Sequence, residues 1–270
     1  MFATLHTAPE IPRDRWGRPL ITPVDGGKPV AYTRVSTLAK ALDDKEGLTQ
    51  WTCRMTAVGL AKRPDLIGLA AASDPDNDTD KKTLADVVNQ AMSAASAGLA
   101  ANVGTTLHRL TEHVDAGTMP EHIPGELLPD LEAYEQAMQG IGVEASELFI
   151  VCDELQAAGS FDRLLTLPGV GLAMGDLKTG QHEPKFPTAT TVQIAIYSRG
   201  WLYHPDQGRI ARLADLGVSQ DVGLLIHLPA GKGKCDLYTL DLHHGWALAE
   251  TAVAVRNAYR NTPLNPYSPN

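Results

Sequence analysis

The chain has 270 residues, 43% of them hydrophobic, and a net charge of −9, which is enough material for one large folded domain. That acidity argues against a protein that coats nucleic acid non-specifically, since such proteins are usually basic, but it allows an enzyme whose basic residues are gathered in one groove. Three separated cysteines (Cys53, Cys152 and Cys235) exclude a disulfide framework, and no apolar run approaches the roughly 20 residues of a membrane span.

Residues 1–15 mix Pro, His, Glu and Arg without an apolar stretch, so no signal peptide is expected and a reducing cytoplasm is the expected compartment. Residues 1–30 read as an irregular lead-in with a short hairpin around Asp25-Gly26-Gly27. From Ala31, A-Y-T-R-V-S-T-L-A-K-A-L reads as a short extended piece entering a helix, with Ser36 or Thr33 as N-cap. A second helix is expected over 48–62, ended with the help of Pro64. Residues 73–80 are acidic and polar but lack the Gly and closing Glu of a calcium loop, so they read as a solvated loop. A long helix should follow, because Leu84, Val87, Val88, Ala91, Ala95, Leu99, Val103, Leu107, Leu110 and Val114 recur at three- and four-residue steps. Gly98 and Gly104 are the points where it could kink or break.

Residues 120–129 form a turn region, and 126–139 a helix closed by Gly140 and Gly142. The periodicity then changes. Strands are expected over 145–153, 159–167 and 171–178, joined by short turns as in a meander. Helical spacing returns over 190–203. Two strands over 222–228 and 235–240 flank the turn P-A-G-K-G-K, and Asp241 caps a last helix running to about Tyr259. The sum is an α/β protein, with an N-terminal arm and helical elaboration over 1–100 continuous with a core over 101–270.

The chemistry concentrates in G-S-F-D-R-L, G-D-L-K-T-G and Q-I-A-I-Y. Asp176 and Lys178 are two apart on a strand, so their side chains leave the same face. If the second and third strands pair, Asp162 approaches Asp176 across the ladder, and two like charges held together call for a hard divalent cation: Mg²⁺, with Mn²⁺ able to substitute. Such an ion neutralises charge and generates hydroxide, while the lysine positions or activates the water, as metal-assisted phosphodiester hydrolysis requires. Read singly, each aspartate is more readily a turn or surface carboxylate; the G-x-x-D element upstream, the strands around both and Gly180 after Lys178-Thr179 favour the site.

His108, in G-T-T-L-H on the long helix, is either a packed histidine or a further metal ligand, with Glu112 one turn on. Glu147 opens the first strand as a possible ligand, a group behind the ligands, or a solvated residue. Gln193 and Tyr197 share a helix face and suit a base or phosphate, or else a core aromatic with a polar rim. Arg163 and Thr179, beside the two acids, count as DNA-facing, and Lys185, Arg199, Arg209, Arg212, Lys232 and Lys234 are further groove candidates.

Taken in order, G-T-T-L-H, S-E-L-F-I, A-G-S-F-D-R, G-D-L-K-T-G and Q-I-A-I-Y resemble the RecB-like exonuclease branch of the PD-(D/E)XK nuclease superfamily, over residues 104–197. Residues 32–51 also resemble an N-terminal segment of phage members. The resemblance implies a restriction-endonuclease-like αβββαβ core and Mg²⁺-dependent cleavage of DNA, on linear substrate with a free end. It implies His108, Asp162, Asp176 and the Leu177 carbonyl as metal ligands, Lys178 as the catalytic lysine, and Gln193 and Tyr197 as the DNA-facing motif. A role in phage recombination, replication or repair follows, in the host cytoplasm, with a single-strand annealing or replication partner and no membrane. Relatives with an iron–sulfur cluster carry four cysteines where this chain has three scattered ones, so no iron–sulfur cluster is expected. No G-x-x-x-x-G-K-[ST] helicase element is present. A structure-selective endonuclease on branched DNA and a catalytically silent DNA-binding or assembly module are the alternatives.

Overall fold

The computed structural model describes residues 10–95, 97–118, 120, 122–264 and 266, with the side chains of 97–102 excepted. The lead-in over 1–9 and the expected packing role of Leu99 lie outside the described residues, while α-helix runs unbroken through Gly98 and Gly104. The chain is α/β and divides into two compact units: Met1–Asp43 with Thr111–Asn270, and Asp44–Leu110. The first 43 residues thus group with the C-terminal part of the chain.

The smaller unit is helical. It holds α2 (Glu46–Lys62), α3 (Pro64–Ala71), α4 (Asp78–Ala94) and most of α5 (Ala97–Asp115). Pro64 both ends α2 and occupies the first turn of α3, where its missing N–H has no partner to lose. The polar loop before α4 is exposed, and its Asn77 side chain accepts the N–H groups of Thr79 and Asp80 as N-cap. Leu66, Val87 and Ala91 make the core here. A Cβ on Gly59 would come within 1.8 Å of the Ala91 carbonyl oxygen, so α2 can lie this close to α4 only because position 59 is glycine. The single long helix expected here is two, broken after Ala94, where Ala95 turns back to the Ala91 carbonyl.

Among the described residues the larger unit carries three sheets. β1 (Leu20–Ile21) and β2 (Val30–Ala31) form the expected hairpin around Asp25-Gly26-Gly27. The five-stranded sheet β12–β11–β8–β7–β4 contains Gly142–Ser146 (β4), Arg163–Leu167 (β7), Gly171–Lys178 (β8), Val222–His227 (β11) and Asp236–Asp241 (β12). It is mixed: β8 and β11 are parallel and the other neighbours antiparallel. The second five-stranded sheet, β10–β9–β5–β6–β3, contains Thr33–Arg34 (β3), Phe149–Cys152 (β5), Ala157–Ser160 (β6), Trp201–His204 (β9) and Gly208–Arg212 (β10).

Four sequence expectations need correction. The strands expected over 145–153 and 159–167 are each two strands that pass from one sheet to the other. The bend falls at Glu147–Leu148 and Phe161–Asp162, where Glu147 (φ 57°) donates to the Asp162 carbonyl at 3.3 Å and Phe161 donates to that of Leu148 at 3.1 Å. Leu148 and Phe161 fill the core at the corner, which fixes the bend. The helix expected over 190–203 stops at Arg199: α7 is Thr188–Arg199, and β9 and β10 follow unforeseen. Gly200 makes that change possible, since a Cβ there would meet Ile150 Cγ2 at 2.1 Å. Neither Thr33 nor Ser36 caps α1 (Val35–Ala39); Arg34 precedes it and makes no side-chain cap bond. The helix expected over 126–139 is a 3₁₀ turn followed by α6 (Leu128–Ala137).

α7 is buried over most of its surface and packs on β8, β11 and β5 as well as on α8 (Leu242–Asn261). Asp241 caps α8 as expected, accepting from the His244 N–H. No described helix is long and apolar enough to cross a membrane.

Candidate functional site

β8 outlasts β7. Their ladder ends at Gly175 opposite Arg163, leaving the edge of β8 at Asp176–Lys178 without a strand partner on that side. Asp162, at the sheet corner, fills the gap: its Oδ2 accepts the Leu177 N–H at 3.1 Å. In an extended strand the N–H and C=O of one residue point to the same side. The Leu177 carbonyl therefore faces the Asp162 side, while that of Lys178 faces the other way and accepts from Leu228 N at 2.9 Å.

Asp176 and Lys178 share the β8 face covered by α7. Asp176 is 2% exposed. Its Oδ1 accepts from Gln193 Nε2 of α7 at 3.3 Å, and its Oδ2 lies 2.5 Å from Lys178 Nζ. The Lys178 ammonium is thus the partner of this otherwise buried oxygen. Burial first, and then the neighbouring Asp162 charge, push the Asp176 carboxyl up to about 6, against the pull of Lys178. Glu147 is pushed up to about 7 by the protein packed around it, then by Asp162 and Glu112. Its residue surface is nonetheless open at the corner, so solvent screens part of that effect.

Tyr197 is 4% exposed and belongs to the core, with its ring beyond the reach of a base in solution. Its hydroxyl stays protonated well above the ordinary range, through burial and then the charges of Asp162, Asp176 and Glu147. A Cβ on Gly159 would stand 2.9 Å from that hydroxyl, so the glycine of G-S-F-D makes room for it. Gln193 faces Asp176. Thr179 is half-buried, and its carbonyl accepts from Ala230 N at 3.2 Å.

The DNA-facing assignment of Arg163 is corrected. It is 1% exposed, donating from Nε to Asp115 Oδ2 and from a terminal nitrogen to Thr111 Oγ1, both at 2.7 Å. Tyr134 donates to the other Asp115 oxygen at 2.6 Å and lies beneath the guanidinium. A buried cation needs such partners, and at this burial it presents no face to a substrate. Arg209 and Arg212 are likewise engaged, by Asp153 and Glu154. Lys185 and Lys232 are exposed, on the loops that follow β8 and β11. His108 is half-buried on α5 in the helical unit.

Sequence reasoning passed over two residues. His227 pairs in register with Lys178 on the neighbouring strand and is 4% exposed. Its Nε2 lies 2.8 Å from the Gly180 carbonyl, which can only accept, so Nε2 carries a proton and Nδ1 is left buried without a partner. Asp130 is fully buried and accepts the N–H groups of Gly231 and Gly233 at 2.7 Å each, pinning the loop that bears Lys232. A histidine ending a β-rich run and an aspartate in a helical turn carry no sequence signal of these contacts.

No protein-family model and no curated protein matches this chain.

The donor set suits a hard cation. It offers the carboxylates of Asp162 and Asp176 and a backbone carbonyl directed to the same edge. Among the described residues no three His, Cys, Asp or Glu side chains are gathered as a ready cage, so the carbonyl and water would complete the shell.

Proposed function

We propose that this protein is a Mg²⁺-dependent deoxyribonuclease, an exonuclease acting on linear DNA, built on the restriction-endonuclease-like core of the PD-(D/E)XK superfamily. The observation that carries the reading is the Lys178 ammonium 2.5 Å from the buried Asp176 carboxylate, with Asp162 bonded to the intervening Leu177 N–H. The order β4, β7, β8, α7, β11 and the parallel β8–β11 pair support the core assignment.

Asp162, Asp176 and the Leu177 carbonyl would hold the ion, which when bound supplies charge neutralisation and an activated water. Lys178, paired here with Asp176, would stand beside the ion and place its ammonium where a phosphate oxygen or an attacking water could accept from it. Gln193 holds Asp176 in its rotamer from behind. Lys185 and the exposed Phe186 on the loop after β8 provide a cation and an aromatic face for the strand. His108 enters this reading through the resemblance alone.

The test is digestion of end-labelled linear DNA beside a covalently closed circle in Mg²⁺, with Lys178→Ala as control. Loss of the linear substrate only, abolished by the substitution, supports the exonuclease and reveals its polarity. Cutting of the circle would make it an endonuclease, and cleavage indifferent to Lys178 would sink the reading.

A further inference from the structure

A cleft of about 310 Å³ opens where α8, the end of β3, α1 and the β5–β6 turn meet. β5 and β6 run from the corner bearing Glu147 and Asp162 to this turn, so the cleft lies roughly 15–20 Å from the carboxylates, at 3.3 Å per residue. Its apolar lining comes from Leu38, Leu155 and Val253, and its charge from Asp153, Glu154, Arg256 and Arg260.

The two acids of the cleft are already paired with arginines outside its lining. Asp153 is engaged by Arg209 and by the Tyr32 hydroxyl at 2.8 Å, and Glu154 by Arg212 at 3.2 Å. Among the described residues neither Arg256 nor Arg260 has an ion-pair partner. The two are one turn apart on one face of α8, where like charges repel. Burial, then the Arg260 charge, lowers the pKa of Arg256 below its usual value. The C-terminal end of α8 favours a cation at Arg260, which accounts for one guanidinium but not for a half-buried second beside it. Counted together with Arg209 and Arg212, the charged residues of the cleft leave two positive charges without an acid at the cavity, in a chain of net charge −9.

We propose that this cleft binds a phosphate monoester of mononucleotide size, its phosphate held by Arg256 and Arg260 and its ring resting against Leu155 and Val253. Paired guanidinium forks match phosphate geometry, and a dianion removes the repulsion between them. The volume exceeds what a bare phosphate fills and falls at the lower end of the range of small-ligand pockets. The nuclease reading makes a deoxynucleoside monophosphate the natural occupant, and only this choice of probe rests on it.

The test is isothermal titration of the full chain in EDTA with dAMP, deoxyadenosine, inorganic phosphate and the tetranucleotide (dT)₄. dAMP should bind, with inorganic phosphate weaker and deoxyadenosine silent. Arg256→Gln and Arg260→Gln should each weaken dAMP at least tenfold, and Lys178→Ala should leave it unchanged. Arg260 is exposed, so Arg260→Gln keeps the fold and circular dichroism confirms it. Equal affinity in Arg260→Gln, binding of deoxyadenosine as strong as dAMP, or no binding of any probe at millimolar concentration would overturn the proposal. Arginine-dependent binding of (dT)₄ without dAMP would overturn the mononucleotide in favour of a passing strand. Metal-free binding is read independently of cleavage, so failure of the nuclease reading leaves this result intact.

Discussion

The Asp162 carboxylate accepts the backbone N–H of Leu177 at 3.1 Å, standing in for the strand that β8 lacks beyond Gly175. One side chain thereby ends a ladder, aligns the Leu177 carbonyl with itself, and holds a negative charge near Asp176. The stability and pH behaviour of the site follow from that crowding.

Removing the buried charge should stabilise the protein and destroy the site. Asp176→Asn keeps the shape and the partner Gln193 while deleting the carboxylate that burial and Asp162 disfavour. Without metal the variant should be more stable than wild type by about 1–3 kcal/mol, since each unit of pKa shift is about 1.4 kcal/mol. Differential scanning calorimetry with and without Mg²⁺ checks this: wild type should gain stability from the ion, and the variant should not. A variant less stable than metal-free wild type would contradict it.

The pH dependence has a definite sign. Asp176 at about 6 and Glu147 at about 7 lie above their ordinary 3.8 and 4.5. The metal-free folded state then binds more protons than the unfolded chain between pH 4 and 7. These groups' contribution is greatest below that window and is lost as pH rises through it. A divalent ion competes with the same protons, so its affinity should rise with pH, by up to about tenfold per unit below pH 6 where one proton is displaced. Titration of Mn²⁺ at pH 5.5 and 7.5 measures it, and pH-independent binding would rule out Asp176 as a ligand.

Arg163 should prove structural. Arg163→Met leaves Asp115 buried with only the Tyr134 hydroxyl of the two residues that now hold its oxygens. A loss of about 3–5 kcal/mol in denaturant unfolding is expected. At a temperature where the variant remains folded, its affinity for DNA should match wild type; a selective loss of DNA binding would restore Arg163 to the interface.

The packing of α7 on α8 depends on Gly245. A Cβ there would lie 2.6 Å from the Thr191 carbonyl oxygen and 2.9 Å from Ala195 Cβ. Gly245→Ala should therefore cost about 1–3 kcal/mol despite the better helix propensity of alanine. Because α7 carries Gln193, metal affinity should fall with it, and calorimetry beside Mn²⁺ titration reports both.

Asp176 and Lys178 were legible because a period of two on a strand puts both on one face whatever surrounds them. The hairpin at 25–27, the Asp241 cap and the helices around Pro64 were legible for the same kind of reason: each is decided by a few adjacent residues. Glu147 and Phe161 show where local reasoning stops. S-E-L-F-I-V-C is as compatible with one straight strand as with two, and only core space around Leu148 and Phe161 bends it. The strand after Gly200 was lost similarly, since helical spacing ran on in the sequence while Ile150 closed that path in space.

The sequence by itself determined the alternation, caps and turns, and the face shared by an acid and a lysine, because these depend on neighbours within a turn or two of chain. Tertiary structure alone decided which charges are used. Arg163 is consumed by Asp115 from 48 residues away, His227 is brought beside Lys178, and Tyr197 is turned inward against Gly159. Ion pairing and burial depend on distance in space, which the order of residues along the chain does not reveal.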